Sequence, residues 1–224
     1  MDLYFSFINK LDSELIYLLS IRQNYKLNSK NFKVLELGGH KNNNSLVCNL
    51  DNKLENYESL KIQTYKNYIF KKKFFNNLTQ DNSFYNKCHQ LNLNRIIKQF
   101  YITFLYDLCD FGDDENHELV CNLDCKIISK ISDRIHFNYE IIKYKYINNI
   151  NFYQKIFKYS SDSEIIYYLS EFIKEPSYLE NIQNISNYHS ITPILVQSIY
   201  KFYIIPFSIE IQYSFLSNLL NKSI

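Results

Sequence analysis

Arg134 and Lys145 stand eleven residues apart in the stretch DRIHFNYEIIKYKY, residues 133–146. At 3.6 residues per turn that is about three turns, so both long cations project from one helical face, among Ile, Phe and Tyr. Glu171 and Glu175 are spaced i, i+4, which lets both carboxylates face one way. Ser208 and Gln212 repeat that spacing just after Pro206, in an otherwise apolar run. Each pair alone has an ordinary explanation: an Arg–Glu contact is usually a structural salt bridge, and Ser or Gln in a helix usually faces water. Two cations, two anions and two neutral hydrogen-bonding groups on apolar helices need partners, and an anionic ligand held between helices supplies them.

The elements that must position these residues are helical. Residues 4–25 carry Phe7, Ile8, Leu11, Leu15, Leu18 and Leu19 at a 3.6 period, an amphipathic helix of about five turns. Residues 26–55 read as a polar connecting loop, 56–74 as a second helix and 76–87 as loop again. A further helix spans 93–109 and is stopped by Asp110-Phe111-Gly112-Asp113-Asp114. The Asp-Phe-Gly triplet matches a kinase magnesium motif, but no Gly-rich loop or His-Arg-Asp catalytic loop accompanies it, so it is a helix-terminating acidic loop. A long helix follows over 119–147 and breaks at Asn148-Asn149, ahead of a short one over 151–159. Asp162 or Ser163 caps the next, 164–173, and 177–187 continues past Pro176. Thr192-Pro193 opens a last helix running from 194 towards 220, with a kink expected at Pro206. The fold class is therefore all-α: one domain over 1–224, a bundle of long helices with a site between them.

Composition narrows the function classes. Of 224 residues only three are Gly and three Pro, which argues against a turn-rich sandwich or barrel and against Gly-rich phosphate loops. The 21 Tyr and 17 Phe, with no Trp, inflate apparent strand propensity, so periodicity outranks it. A net charge of +2 makes no electrostatic case for nucleic acid, and the run Lys71-Lys72-Lys73 reads as a solvated helix face. The first 22 residues hold five charges and no clean apolar segment, and the longest apolar runs fall short of a membrane span. A cytoplasmic chain with reduced thiols at Cys48, Cys88, Cys109, Cys121 and Cys125 is the expectation. His117, Cys121 and Cys125 have i, i+4, i+8 spacing but no second ligand pair, so buried thiols are expected there rather than a metal.

The second half of the chain resembles the eukaryotic-type, all-helical chorismate mutases. The likeness rests on RIHFNYEIIKYKY (134–146), with its Arg-Ile-His-Phe segment and a Lys eleven residues after the Arg. It continues through NFYQKIF (151–157) to Glu175 and resumes at ITPILVQSIYKFYIIPFSIEIQ (191–212). It is specific over about 120–220, weaker over 1–25 and thin over 26–92. The resemblance implies rearrangement of chorismate to prephenate in aromatic amino-acid biosynthesis, an isomerase reaction without cofactor or metal, and a homodimer. It also implies roles. Arg134 clamps a substrate carboxylate, and Lys145 donates to the ether oxygen that gains charge as the C–O bond breaks. Gln212 donates to the same oxygen from the other side, and Glu175 accepts from the substrate hydroxyl. Ser208, with the backbone near Ile205 and Glu171, completes the pocket. Eukaryotic relatives often place Glu where Gln212 stands; a neutral amide donates at any pH, so activity without an acidic optimum is expected.

Three departures qualify what the resemblance implies. The family carries an Arg in the first helix, seven residues before an acidic position matching Asp12, and here that residue is Phe5. Neither Lys10 nor Arg22 is placed to replace it. Pro176 puts Glu175 beside a helix start. At the relatives' effector site, paired Arg and a Gly-Ser correspond to Tyr68-Ile69 and Glu118-Leu119, so no response to Trp or Tyr, or a different one, is expected. The alternative to an enzyme is a catalytically impaired helical descendant, acting as a dimeric scaffold or an aromatic-acid binder.

Overall fold

The computed structural model describes residues 2–28, 93–171 and 176–220, without the side chains of 2–5, 94–95, 171 and 176. No strand occurs among the described residues. The elements are α1 (Asp2–Arg22), α2 (Asn94–Leu108), α3 (His117–His136), α4 (Asn138–Asn148), α5 (Ile150–Tyr159), α6 (Asp162–Glu171), α7 (Pro176–Tyr188), α8 (Pro193–Ile199), a π-helical segment (Tyr200–Ile204) and α9 (Ile205–Leu219). The helix expected over 56–74, its flanking loops and Lys71-Lys72-Lys73 lie outside the described residues.

The 3.6 period in α1 buries Ile8, Leu11, Leu15, Ile16 and Leu19 against α3, while α2 packs on the same helix from another side. α9 runs against α3, α4 and α6, and so contributes to two apolar cores. Ile211 belongs to the larger core with Ile135 and Tyr200; Ile205, Ile209 and Leu216 belong to the smaller with Ile142 and Phe157. At about 100° per residue, Ser208 and Gln212 project into the seam between these two faces. That seam is where polar groups converge.

The long helix expected over 119–147 is interrupted at one residue, Phe137, which keeps right-handed helical dihedrals (φ −59°, ψ −19°). Next to it, the Asn138 side chain donates Nδ2 to the carbonyls of Arg134 (3.3 Å) and Ile135 (3.0 Å). An Asn that competes for main-chain acceptors loosens a helix locally without ending it. Just before Pro206, where a kink is expected, the helix takes a π turn. Pro206 has no N–H to give, and the Ile205 N–H reaches back five residues to the Tyr200 carbonyl. Together α8, the π turn and α9 form a 27-residue element with a window of mean hydropathy 1.3, long and apolar enough to cross a membrane. The expectation that no run reaches that length is thus corrected. Its Ile199, Ile204, Ile211 and Leu216 are wholly buried in the bundle, as in a core helix.

Other boundaries shift slightly. The cap of α6 is Ser161, not Asp162 or Ser163: its Oγ accepts from the Glu164 N–H (3.4 Å), and Glu164 Oε2 accepts from the Ser161 N–H (2.7 Å). That reciprocal pair is a capping box. The acidic loop after α2 ties back to the end of α1, where the Leu27 N–H donates to the Asp110 carbonyl (2.9 Å) and the Asn28 N–H to that of Gly112 (2.9 Å). Gly112 stands at φ +128°, a conformation side chains resist. Below this loop, Arg22 Nε donates to Asp124 Oδ1 (2.7 Å), which also accepts from Tyr101 (2.6 Å), all three wholly buried. This ion pair joins α1, α2 and α3, with Arg22 also donating to the Lys26 and Leu27 carbonyls. Cys109 and Cys125 are buried free thiols, whereas Cys121 is disulfide-bonded, which corrects the expectation that every cysteine is reduced.

Candidate active site

Asp12 occupies the centre of the buried stripe of α1, among Ile8, Leu11, Leu15 and Leu19, and is itself fully buried. A carboxyl group there must be satisfied from neighbouring helices. Arg134, in the last turn of α3, donates Nε to Asp12 Oδ1 (2.9 Å). Tyr200 from the π turn donates to the same oxygen (2.9 Å), and Tyr178 of α7 donates to Oδ2 (2.8 Å). Tyr178 in turn accepts from Arg134 Nη2 (2.8 Å). Four elements thus meet on one carboxyl group.

This network decides which part of Arg134 is left for a ligand. Nε and Nη2 are engaged, while buried Nη1 has no acceptor among the described residues. Burial on its own would lower the Arg134 pKa, but Tyr178, Asp12 and Tyr200 more than offset it and the net shift is upward. Burial pushes the Tyr178 and Tyr200 hydroxyls well above 10, so both stay neutral donors through the working pH range. A fixed, permanently charged guanidinium with one open N–H edge is suited to a carboxylate.

Along the same face, Asn138 follows Arg134 at i+4 and Lys145 follows at i+11. Lys145 is half-buried on α4, and desolvation lowers its ammonium pKa to about 8. From α9, Gln212 donates Nε2 to Asn138 Oδ1 (2.8 Å). Gln212 Oε1 and Ser208 Oγ, both buried, have no hydrogen-bond partner among the described residues. Ile205 is buried, with its N–H held by the Tyr200 carbonyl. Asn138 thus links the Arg134 carbonyl to Gln212, with Ser208 one turn before Gln212 on α9 and Lys145 on the helix that packs along α9. The side chains of Phe5 and Glu171 and the whole of Glu175 lie outside the described residues. Lys10 is exposed beside Glu14 and Arg22 is committed to Asp124, so neither supplies a cation in place of Phe5.

Sequence reasoning missed Asp12, Tyr178, Tyr200 and Asn138 as parts of this site. Asp12 carried a signal, an acid on an apolar stripe. The tyrosines carried none in a chain with 21 of them.

A concavity of about 650 Å³ lies between the end of α1 and the start of α3, lined by Tyr25, Glu115, Glu118, Leu119 and Lys126 among others. Glu118 and Arg134 sit 16 residues apart on α3, about 24 Å along the axis at 1.5 Å per residue. The two places are distinct.

The fold is that of chorismate mutases of known structure from plants and yeast. Among solved structures, the chain matches chorismate mutase from Candida albicans, Aro7p, in complex with L-Trp, with TM-score 0.72 and 16% identity, covering 99% of this chain and 92% of that one. It matches the chloroplast chorismate mutase from Zea mays with TM-score 0.70 and 17% identity, covering 98% and 95%. AtCM1 with tyrosine bound in an allosteric site gives TM-score 0.69 and 19% identity, covering 96% and 94%. No protein-family model and no curated protein matches the sequence. At these identities the likeness establishes the fold.

Proposed function

We propose that the chain is a chorismate mutase, catalysing the Claisen rearrangement of chorismate to prephenate. The observation that carries this reading is that Arg134 Nη1 and Ser208 Oγ are buried without a hydrogen-bond partner among the described residues, with the buried Gln212 amide on the same helix as Ser208 and Lys145 on the helix packed along it. Such groups are costly unless a ligand satisfies them. The rearrangement moves electrons within one molecule, so the protein's task is to hold a compact conformer of a flexible dianion and to stabilise charge as the ether bond breaks. Arg134 takes a carboxylate with its open edge. Lys145 and the second N–H of Gln212 face the ether oxygen, Ser208 a carboxylate, and Glu175 the substrate hydroxyl. Purified chain is expected to speed the spectrophotometric disappearance of chorismate, and no acceleration over the buffer rate sinks the proposal.

Because Gln212 is a neutral amide, the activity is expected to show no acidic optimum. In Gln212→Glu the donor exists only when protonated, so kcat is expected to rise as pH falls through the pKa of the introduced acid. A pH–rate profile unchanged by this substitution would remove Gln212 from the ether-oxygen role.

The cleft at the start of α3 gives a reason for an altered effector response. Its lining sets Glu115 and Glu118 beside Lys126, and Leu119 offers an amino-acid carboxylate no side-chain hydrogen bond. Adding L-Trp or L-Tyr at millimolar concentration is expected to leave the rate unchanged. A severalfold change by either would show that effector recognition survives in this chain.

A further inference from the structure

Asn138 sits where α3 gives way to α4 and is nearly fully buried. Its Nδ2 donates to the carbonyls of Arg134 and Ile135, which can only accept, so the orientation of its amide is determined. Oδ1 must then face α9, where it lies 2.8 Å from Gln212 Nε2. A flipped Gln212 would set two carbonyl oxygens against each other at that distance. The orientation of Gln212 is therefore dictated, through one intermediary, by main-chain carbonyls of the helix that carries Arg134.

We infer that Asn138 is a positioning residue for the reaction: it holds Gln212 so that the amide's second N–H, rather than its oxygen, is available to the substrate's breaking ether bond. This inference rests on the chorismate mutase reading. Without Asn138, rotation about the last Gln212 torsion has no preferred sense, and in the flipped state Oε1 meets an oxygen that is gaining negative charge. The loss falls on the transition state more than on substrate binding, because the ether oxygen carries little charge before the bond breaks. Acceptance by Asn138 also polarises the amide, which strengthens its remaining N–H as a donor. The same bond pins α9 to the α3–α4 junction, so the break in the long helix and the aim of Gln212 have one cause.

The test combines a double-mutant cycle with a spectroscopic signature. Asn138→Ala, with Asn138→Leu as a volume-filling alternative if the first is unstable, is expected to lower kcat roughly tenfold with KM held within about twofold. In a Gln212→Met background the same Asn138 substitution is expected to have no further effect on kcat, since its route of action is already gone. In the wild-type protein the Gln212 side-chain amide, identified as the NMR peak pair missing from Gln212→Met, is expected to show two distinct, slowly exchanging hydrogens. Equal losses in kcat with and without Gln212 would overturn the positioning role, as would a Gln212 amide that exchanges like an exposed one. Absence of wild-type turnover instead overturns the chorismate mutase reading, while the Gln212 amide still reports whether Asn138 restrains it.

Discussion

Replacing Lys145 with Met is expected to abolish most activity while making the protein more stable, a combination that separates catalysis from architecture. Loss of a preorganised donor to an oxygen gaining charge costs about 10²–10³-fold in kcat. The gain in stability follows from the ammonium's surroundings. Desolvation lowers its pKa from 10.5 to about 8, so between those values the unfolded chain binds more protons than the folded one. Stability attributable to this group therefore rises with pH across that window, and below pH about 8 the folded state bears the full cost of a poorly solvated charge. Met, of similar length and uncharged, removes the cost. For the same reason kcat/KM of the wild type is expected to fall as pH rises through about 8, while kcat holds to higher pH because a bound dianion favours the charged form. Chemical denaturation at pH 7 and pH–rate profiles test both halves. A Lys145→Met protein that is less stable than wild type, or that retains turnover, contradicts this account.

The second large effect is on folding. Asp12→Ala is expected to cost about 3–5 kcal/mol, since Arg134 would stay buried beside α1 with its carboxylate removed. Three hydrogen bonds end on Asp12, one from each of Arg134, Tyr178 and Tyr200, so the loss spreads over α3, α7 and the π turn. Tyr178→Phe removes one neutral hydroxyl and is expected to cost only about 1 kcal/mol. Both are expected to raise KM more than they lower kcat, because each loosens the clamp on a carboxylate that is charged before and after the reaction. Urea denaturation orders the variants; an Asp12→Ala loss no greater than that of Tyr178→Phe would mean that Asp12 does not hold Arg134.

The helical plan was readable because its causes are local. The periodicity of α1, α2 and α9, the Thr192-Pro193 start and the Asn149 break each depend on a few neighbouring residues. Arg134, Ser208 and Gln212 were readable as buried polar residues for a related reason: each interrupts an apolar pattern that the chain itself displays. Asp12 interrupts one in the same way, yet its meaning needed the partner helices. The break at Phe137 was not readable, because Asn138 is an unremarkable helical residue until its side chain is seen taking the Arg134 and Ile135 carbonyls. The cap of α6 was missed by one residue, since Asp162, Ser163 and Ser161 are all competent caps and only Ser161 has Glu164 at the reciprocal spacing.

The amino-acid sequence by itself determined that this protein is helical, and which polar residues stand on faces meant for burial. Both follow from spacing along one chain. Which atoms of those residues remain for a ligand was decided only by tertiary structure. Arg134 has five N–H bonds, and it is Asp12 from α1 with Tyr178 from α7 that occupy Nε and Nη2 and leave Nη1. Gln212 has two interchangeable ends, and Asn138 fixes which one turns away. Hydrogen-bond direction depends on partners brought from 44 to 122 residues away, and no local pattern encodes them.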